Sequence, residues 1–416
     1  MTSFDTMVDR IPPPGTRRVS MRVTPAAERK LRAGHPWVYD RAIRRQSHAG
    51  APGDLAAIYD GRNRFLAVGL YDPASSIRVR VLQTGRPVPI ARPWFVRRLQ
   101  DAARVRLPLS ACRTTGYRLA HGENDGLPGV VVDRYDDILV VKLYTNAWIP
   151  HLAALREALR SVHDPAWMVL RFGRSIQAEA ERRYGLWDGV TLDGRVPGGQ
   201  PEFREYGLHF EVDPVHGQKT GFFLDQRENR AKLGTFCAAR TVLDAFAYTG
   251  ACSVYAARGG AREVTSLDVS RPALAVAQRN MMRNRGHPAI AAAGHQVIAA
   301  DAFEALRHLR RAGRRFDIVV LDPPSFAKTE DEVPRALKAY ARLVRLGLGV
   351  LQTGGTLMAA SCSSHVSSAA FFLTVRQAAA GAKRPLWELE RTGHPLDHPV
   401  TFPEGAYLKC LFAVAA

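Results

Sequence analysis

The chain has 416 residues, more than one hydrophobic core usually serves, so two or three domains are expected. Its 46% apolar and 23% charged residues exclude a disordered or fibrous protein, and 58 Lys and Arg against 39 Asp and Glu leave a formal charge of +19. That excess attracts polyanions, nucleic acid foremost and an anionic membrane surface as the alternative.

Residues 1–18, with Pro12, Pro13 and Pro14 beside Gly15, read as a disordered tail without a secretory core. From 19 to 83, short apolar runs at Val19–Val23, Leu55–Tyr59, Phe65–Leu70 and Ile77–Leu82, separated by Gly, Pro, Asp and Asn, predict a β-rich, barrel-like domain. Its segment 29–45, RKLRAGHPWVYDRAIRR, has two readings. Basic and aromatic residues so mixed suit an RNA-binding surface, but Trp37 and Tyr39 also suit a core with solvated arginines around it.

A linker at 84–93 precedes a central α+β domain over 94–197. It has an amphipathic helix through Phe95, Leu99 and Ala102, strands GVVVDRY and DILVVKLY, a helix through Leu152, Leu155 and Leu159, and a strand WMVLRFG. The turn formers of His121–Gly129, HGENDGLPG, mark a structural loop rather than a site.

From 198 to 416 strand and helix alternate to the end, as in a doubly covered parallel sheet. Strands are expected at Thr241–Phe246, Glu263–Asp268, Gln296–Asp301, Phe316–Asp322 and Thr356–Cys362. A helix through Leu337, Tyr340, Val344, Leu348 and Leu351 is expected to end at Gly354-Gly355 and to carry a solvated stripe of Arg335, Lys338, Arg342 and Arg345.

Open α/β sheets bind ligands at the carboxyl ends of their strands. The first strand ends at Asp244 and runs into small residues up to Gly250, where a ligand can approach the backbone. Asp268, followed by Ser270 as a plausible N-cap, is placed to accept two ribose hydroxyls. A nicotinamide dinucleotide would use the same acid, but the full G-x-G-x-x-G that seats a pyrophosphate is missing, and an uncharged adenosyl linker suits the turn better. Asp322-Pro323-Pro324-Ser325-Phe326 fixes a rigid turn whose carbonyls and aromatic ring can hold a flat base.

Cys362 follows the next strand, with hydroxyls and His365 near it. In isolation it is equally a small buried hydrophobe. Beside a held pyrimidine it would be the thiol that adds to carbon 6 and makes carbon 5 nucleophilic. The five cysteines are scattered, without C-x-x-C or paired-His spacing, so free thiols, no metal site and a cytoplasmic protein without membrane spans are expected.

These stretches together resemble the large-subunit ribosomal RNA 5-methylcytosine methyltransferases that carry an N-terminal PUA domain. The likeness is carried by GHPWVY, GLYDPASSIRVRVL, HGENDGLPGVVVDRY, GQKTGFFLDQRENR, LDAFAYTGACS, SLDVS, LDPPSF and SCSS. The resemblance implies a C-terminal class I, Rossmann-like methyltransferase domain behind a PUA-like domain and a central α+β domain. It implies S-adenosyl-L-methionine as cofactor, ribosomal RNA as partner, and a possible homodimer.

Carried over by motif, Lys219, Phe223, Asp225 and Arg227 belong to a segment closing over the cofactor. The resemblance implies that Asp244, Asp268 and Asp301 serve the cofactor's methionine, ribose and adenine parts, with Ala245, Phe246, Gly250, Val269, Ala302 and Asp322 also cofactor-binding. Cys362 would be the nucleophile, with Asp322, Pro323 and Pro324 holding the base. Many relatives have a second cysteine where this chain has Ala360. Two alternatives stay open: methylation of a base nitrogen, which needs the Asp322 motif but not Cys362, and an inactive RNA-binding assembly factor, which needs neither.

Overall fold

In the computed structural model, which describes residues 11–416, the short apolar runs of the first segment become strands β1 (Val19–Val23), β2 (Trp37–Tyr39), β3 (Ile43–Gln46), β4 (Leu55–Tyr59), β5 (Phe65–Tyr71) and β6 (Ile77–Thr84). They form one sheet in the order β2-β6-β5-β4-β1-β3. Helix α1 (Pro25–Arg32) is N-capped by Thr24, whose hydroxyl accepts the Ala27 N–H. It buries Ala27 and Leu31 against Val19, Met21, Val38, Ile58 and Val79.

Next come helix α2 (Arg92–Ala111) and strands β7 (Gly116–His121), β8 (Val130–Tyr135) and β9 (Ile138–Leu143). Helix α3 (Leu152–His163), β10 (Trp167–Phe172), helix α4 (Gln177–Tyr184) and β11 (Val190–Gly194) complete a second sheet ordered β11-β10-β9-β8-β7.

The chain groups into two units, and both of these sheets belong to the first, with residues up to Gly207, Val212–Leu224 and Leu396–Phe402. The parts expected as separate domains over 19–83 and 94–197 share a core, because Leu70 and Leu82 of the first sheet pack with Trp94, Phe95 and Leu99 of α2. Of the expected tail, residues 1–10 lie outside the described residues. From Ile11 it is held rather than loose, since Ile11 packs on this core and the Gly15 N–H donates to Asp54 at 2.7 Å.

The loop HGENDGLPG is structural, as expected. Both oxygens of Asp125 accept from the buried Arg106 guanidinium, and Gly126 turns the chain at φ +71°.

The second unit comprises Leu208–Glu211, Asp225–Pro395 and Pro403–Ala416. Its strands are β14 (Thr241–Ala245), β15 (Glu263–Asp268), β16 (Gly294–Ala299), β17 (Phe316–Leu321), β18 (Leu351–Ser361), β19 (Leu386–Thr392) and β20 (Lys409–Ala415), after β12 (Glu202–Glu205) and β13 (Leu208–Glu211) earlier in the chain. The sheet order is β16-β15-β14-β17-β18-β20-β19. The first five strands are parallel.

The expectation of parallel strands to the end is corrected here, since β20 inserts antiparallel between β18 and β19. Nearly every residue of β20 is buried, as a central strand requires. Helices α5 (Arg227–Gly234), α6 (Ala251–Arg258), α7 (Arg271–Arg283), α8 (Pro288–Ala292), α9 (Ala302–Arg311), α10 (Val333–Leu348) and α11 (Ser368–Gly381) fill the connections.

Leu351, expected at the end of a helix, opens β18 instead. Helix α10 stops at Gly349, and the helical spacing continues across the break only because the first strand residue is buried as well. Gly347 lets the helix approach the sheet, since a Cβ there would stand 2.9 Å from Leu321. Arg335, Lys338, Arg342 and Arg345 form an exposed stripe, and Arg342 stacks on Phe303 at 5.0 Å.

Candidate active site

Strand β14 delivers Asp244 to the carboxyl edge of the sheet, where it is 2% exposed. The Ser253 hydroxyl of α6 donates to it at 2.7 Å, and Ser253 continues through Ser266 to His295 in a buried chain of hydrogen bonds at 2.6 and 2.8 Å. Burial pushes the Asp244 carboxyl up to about 7; the Ser253 bond opposes the rise, and Asp322 and Asp268 add to it.

The following turn is tightly wound. Phe246, Tyr248 and Gly250 all have positive φ, at +66°, +49° and +74°. Two non-glycine residues in that region store backbone strain, which concentrates where a chain is shaped for a ligand. At Gly250 a Cβ would stand 2.5 Å from that of Ala277, so no side chain fits.

Asp268 closes β15 and accepts the Tyr248 N–H at 2.9 Å and the Ser270 N–H at 2.8 Å. Ser270 then caps α7 through the Ala273 N–H, as expected. Val269, beside this acid, is 75% exposed, an apolar surface open at the strand tip. Strand β16 stops at Ala299, short of the expected end, because Asp301 instead N-caps α9 by accepting the Glu304 N–H at 3.1 Å. Asp301 is exposed and Ala302 buried behind it.

Leu321 of β17 pairs with Ala359 of β18, so Asp322 and Cys362 leave the same edge on neighbouring strands, both half-buried. Pro323 is buried and Pro324 exposed. Gln226 donates to Asp322 at 2.9 Å, and Asp225 next to it is buried and accepts the Tyr407 hydroxyl at 2.9 Å. Arg227, the first residue of α5, is fully buried.

The turn carrying Cys362 is tied down on each side. Tyr340 bonds Ser361 at 2.8 Å, the Ser363 hydroxyl donates to the Ala327 carbonyl at 3.0 Å, and Lys409 donates to the carbonyls of Ser363 and Val366. Burial raises the Tyr340 phenol to about 12 and lowers the Lys409 ammonium to about 8. Phe326, expected to stack on a base, is half-buried against Tyr340 at 4.8 Å. His365, expected to polarise the thiol, is exposed, and Lys409 is a cation whose charge reaches Cys362.

The second unit thus brings together Asp225, Arg227, Asp244, Ala245, Phe246, Gly250, Asp268, Val269, Asp301, Ala302, Asp322, Pro323, Pro324 and Cys362. Lys219 and Phe223 belong to the first unit. There the Lys219 ammonium stacks on the Phe223 ring at 4.6 Å, its φ is +56°, and its carbonyl accepts from Lys142 at 2.8 Å.

The first unit also carries the basic segment around Trp37. Arg29, Lys30, Arg44 and Arg45 are exposed, and Trp37 is half-buried, donating to Glu123 at 2.8 Å and packing edge-on against Phe402.

Sequence reasoning missed Gln226, Ser253, Tyr340, Lys409 and Tyr407. Lys409 did leave a signal, one charge inside the apolar run L-K-C-L-F-A-V. Among the described residues no cluster of His, Cys, Asp and Glu could hold a metal, and no helix is long and apolar enough to cross a membrane.

Residues 117–413 match the S-adenosylmethionine-dependent methyltransferase family, and residues 21–84 match the PUA-like domain. The chain is 47% identical over 401 residues to a ribosomal RNA large subunit methyltransferase of Deinococcus radiodurans, covering 95% of this chain and 97% of that protein. It is 36% identical to ribosomal RNA large subunit methyltransferase I of Photobacterium profundum, covering 94% and 98%. Among solved structures it resembles a methyltransferase complexed with SAH, at 25% identity, a TM-score of 0.80 and coverage of 95% and 99%.

Proposed function

The chain belongs to the PUA-bearing, S-adenosylmethionine-dependent methyltransferases of large-subunit ribosomal RNA, and from that membership we propose that it methylates carbon 5 of a cytosine in that RNA through Cys362. The observation that carries the carbon-5 reading is the pairing of β17 with β18, since Cys362 directly follows β18 and Asp322-Pro323-Pro324 directly follows β17.

The residues present fit the cofactor. Carboxylates stand at or just beyond the tips of three adjacent parallel strands, at Asp244, Asp268 and Asp301. Among the described residues no basic side chain bonds Asp244, so a buried carboxylate is kept for an incoming ammonium. Asp268 receives the ribose hydroxyls, and the exposed Val269 covers the apolar side of the same ligand. When bound, S-adenosylmethionine supplies an electrophilic methyl group.

Cytosine carbon 5 is a weak nucleophile until addition at carbon 6 interrupts the ring's conjugation. The Cys362 thiolate bonds carbon 6, which makes carbon 5 carbanion-like and able to take the methyl group. Loss of the carbon-5 proton to a base and departure of the sulfur then restore the ring. The Asp322-Pro323-Pro324 turn holds the base, and the exposed arginines of segment 29–45 meet RNA phosphates, in a cytoplasmic enzyme.

RNA carrying 5-fluorocytosine tests this, because fluorine cannot leave as the proton does. The enzyme is expected to form an adduct that survives denaturing electrophoresis. Cys362→Ala should abolish adduct and turnover by several orders of magnitude while cofactor binding persists. Methylation by Cys362→Ala at near wild-type rate would move the assignment to a base nitrogen beside Asp322.

A further inference from the structure

We infer that Lys409 is a positioning residue for Cys362: from β20 it fixes the turn bearing the thiol and lends its positive charge to the thiolate. This rests on the proposed role of Cys362 as nucleophile. Lys409 is 2% exposed and lies opposite Ser361 in the β18–β20 register. Its ammonium donates to the Val366 carbonyl at 2.7 Å and to the carbonyl of Ser363, the residue directly after Cys362.

Among the described residues no Asp or Glu pairs with this ammonium, whose bonds go to carbonyls. A buried cation without a counterion is costly, and a methionine of similar length would fill the same space without that cost. The two carbonyl bonds use the ammonium's donors to hold the turn, but they leave its charge without a counter-charge, which a thiolate would supply.

Several titratable groups lie around Cys362. Lys409 faces it from β20, Tyr340 from α10 and Asp322 from the end of β17, while His365 on its own loop is exposed. Tyr340 stays neutral up to about 12 and Asp322 opposes an anion, so Lys409 is the group of this set that favours one. With its ammonium lowered to about 8 by burial, the charge is present at neutral pH and is lost above it.

The test is the pH dependence of iodoacetamide alkylation at Cys362, followed by peptide mass spectrometry in the intact protein, with the exposed Cys112 as internal reference. Lys409→Met should displace the Cys362 profile by about one pH unit upward, making alkylation about tenfold slower at neutral pH, and leave Cys112 unmoved. Lys409→Arg, which keeps the charge, should retain most of the wild-type profile. An unmoved Cys362 profile in folded Lys409→Met, or an equal displacement in Lys409→Arg, overturns the inference.

Should the Met variant not fold, Lys409→Gln, which keeps a donor for the turn without the charge, should show the same upward displacement, and an unmoved Cys362 profile in it overturns the inference. Alkylation does not depend on turnover, so failure of the nucleophile reading would show separately, as absence of the fluorocytosine adduct.

Discussion

In the first unit the buried Arg106 meets both oxygens of Asp125 at 2.8 and 2.6 Å, and the fully buried Asp133 accepts two bonds from Arg118 at 2.7 and 2.9 Å. In the second unit Asp244 has the Ser253 hydroxyl where a cation would be, and Lys409 has two carbonyls where an anion would be. A buried charge that is matched within the fold is complete, and removing one member leaves the other stranded. A buried charge left unmatched is held at a cost that the fold alone does not repay, and such groups cluster at sites that meet a ligand or a reacting atom. By that measure Asp125 and Asp133 are matched for structure, as Glu211 of the second unit is by Arg279 and Arg283, whereas Asp244 and Lys409 are the buried charges open to a ligand or a reacting atom.

The largest effect expected from this contrast is in the first unit. Asp133→Ala removes the carboxylate that meets the Arg118 guanidinium of β7 and also a partner of the buried Thr220 hydroxyl. A loss of about 3–5 kcal/mol in stability is expected on chemical denaturation. Near-wild-type stability would show that these ions are not structural and would dissolve the contrast.

A smaller, different effect is expected at Asp268→Ala. This half-buried acid organises the Tyr248–Ser270 backbone, and among the described residues no arginine pairs with it, so the stability cost should be modest. Cofactor affinity should fall about ten- to a hundredfold, as the loss of charge-assisted bonds worth about 1.5–3 kcal/mol implies. Unchanged affinity by calorimetry would remove Asp268 from the site.

What could be read from sequence follows the same division. Local signals were legible: β1 and β4 fall at their expected bounds, Ser270 caps α7, and Asp244, Asp268, Asp322 and Cys362 stand at strand ends. What could not be read depends on distant partners. The shared core of the first unit needs Leu70 to meet Phe95, and β20 takes its place only by inserting antiparallel beside β18. The segment Leu396–Phe402, expected within the 198–416 domain, belongs to the first unit, where Asp397 accepts the Arg118 N–H and Phe402 packs on Trp37. Asp301 was misplaced by a strand two residues too long, because an N-cap and a strand end use the same residue types. Lys409 was overlooked because one lysine in an apolar strand says nothing of which carbonyls it meets.

The smallest effect is the most specific to the second unit. Burial raises the Asp244 carboxyl from an ordinary 3.8 to about 7, so between those values the folded chain holds a proton that the unfolded chain has lost. Its contribution to stability is therefore full at low pH and declines as pH rises toward 7, the reverse of a salt-bridged carboxylate. A cofactor ammonium docking on Asp244 favours the ionised form. Below pH 7 binding must then expel the proton, and affinity should fall by up to about tenfold for each unit of acidification. Titration calorimetry in two buffers of different ionisation enthalpy, near pH 6, should detect release of close to one proton, and Asp244→Asn should abolish that release. A cofactor affinity that stays flat from about pH 5.5 to 8 would mean that Asp244 does not meet the cation and that its unmatched burial has another cause.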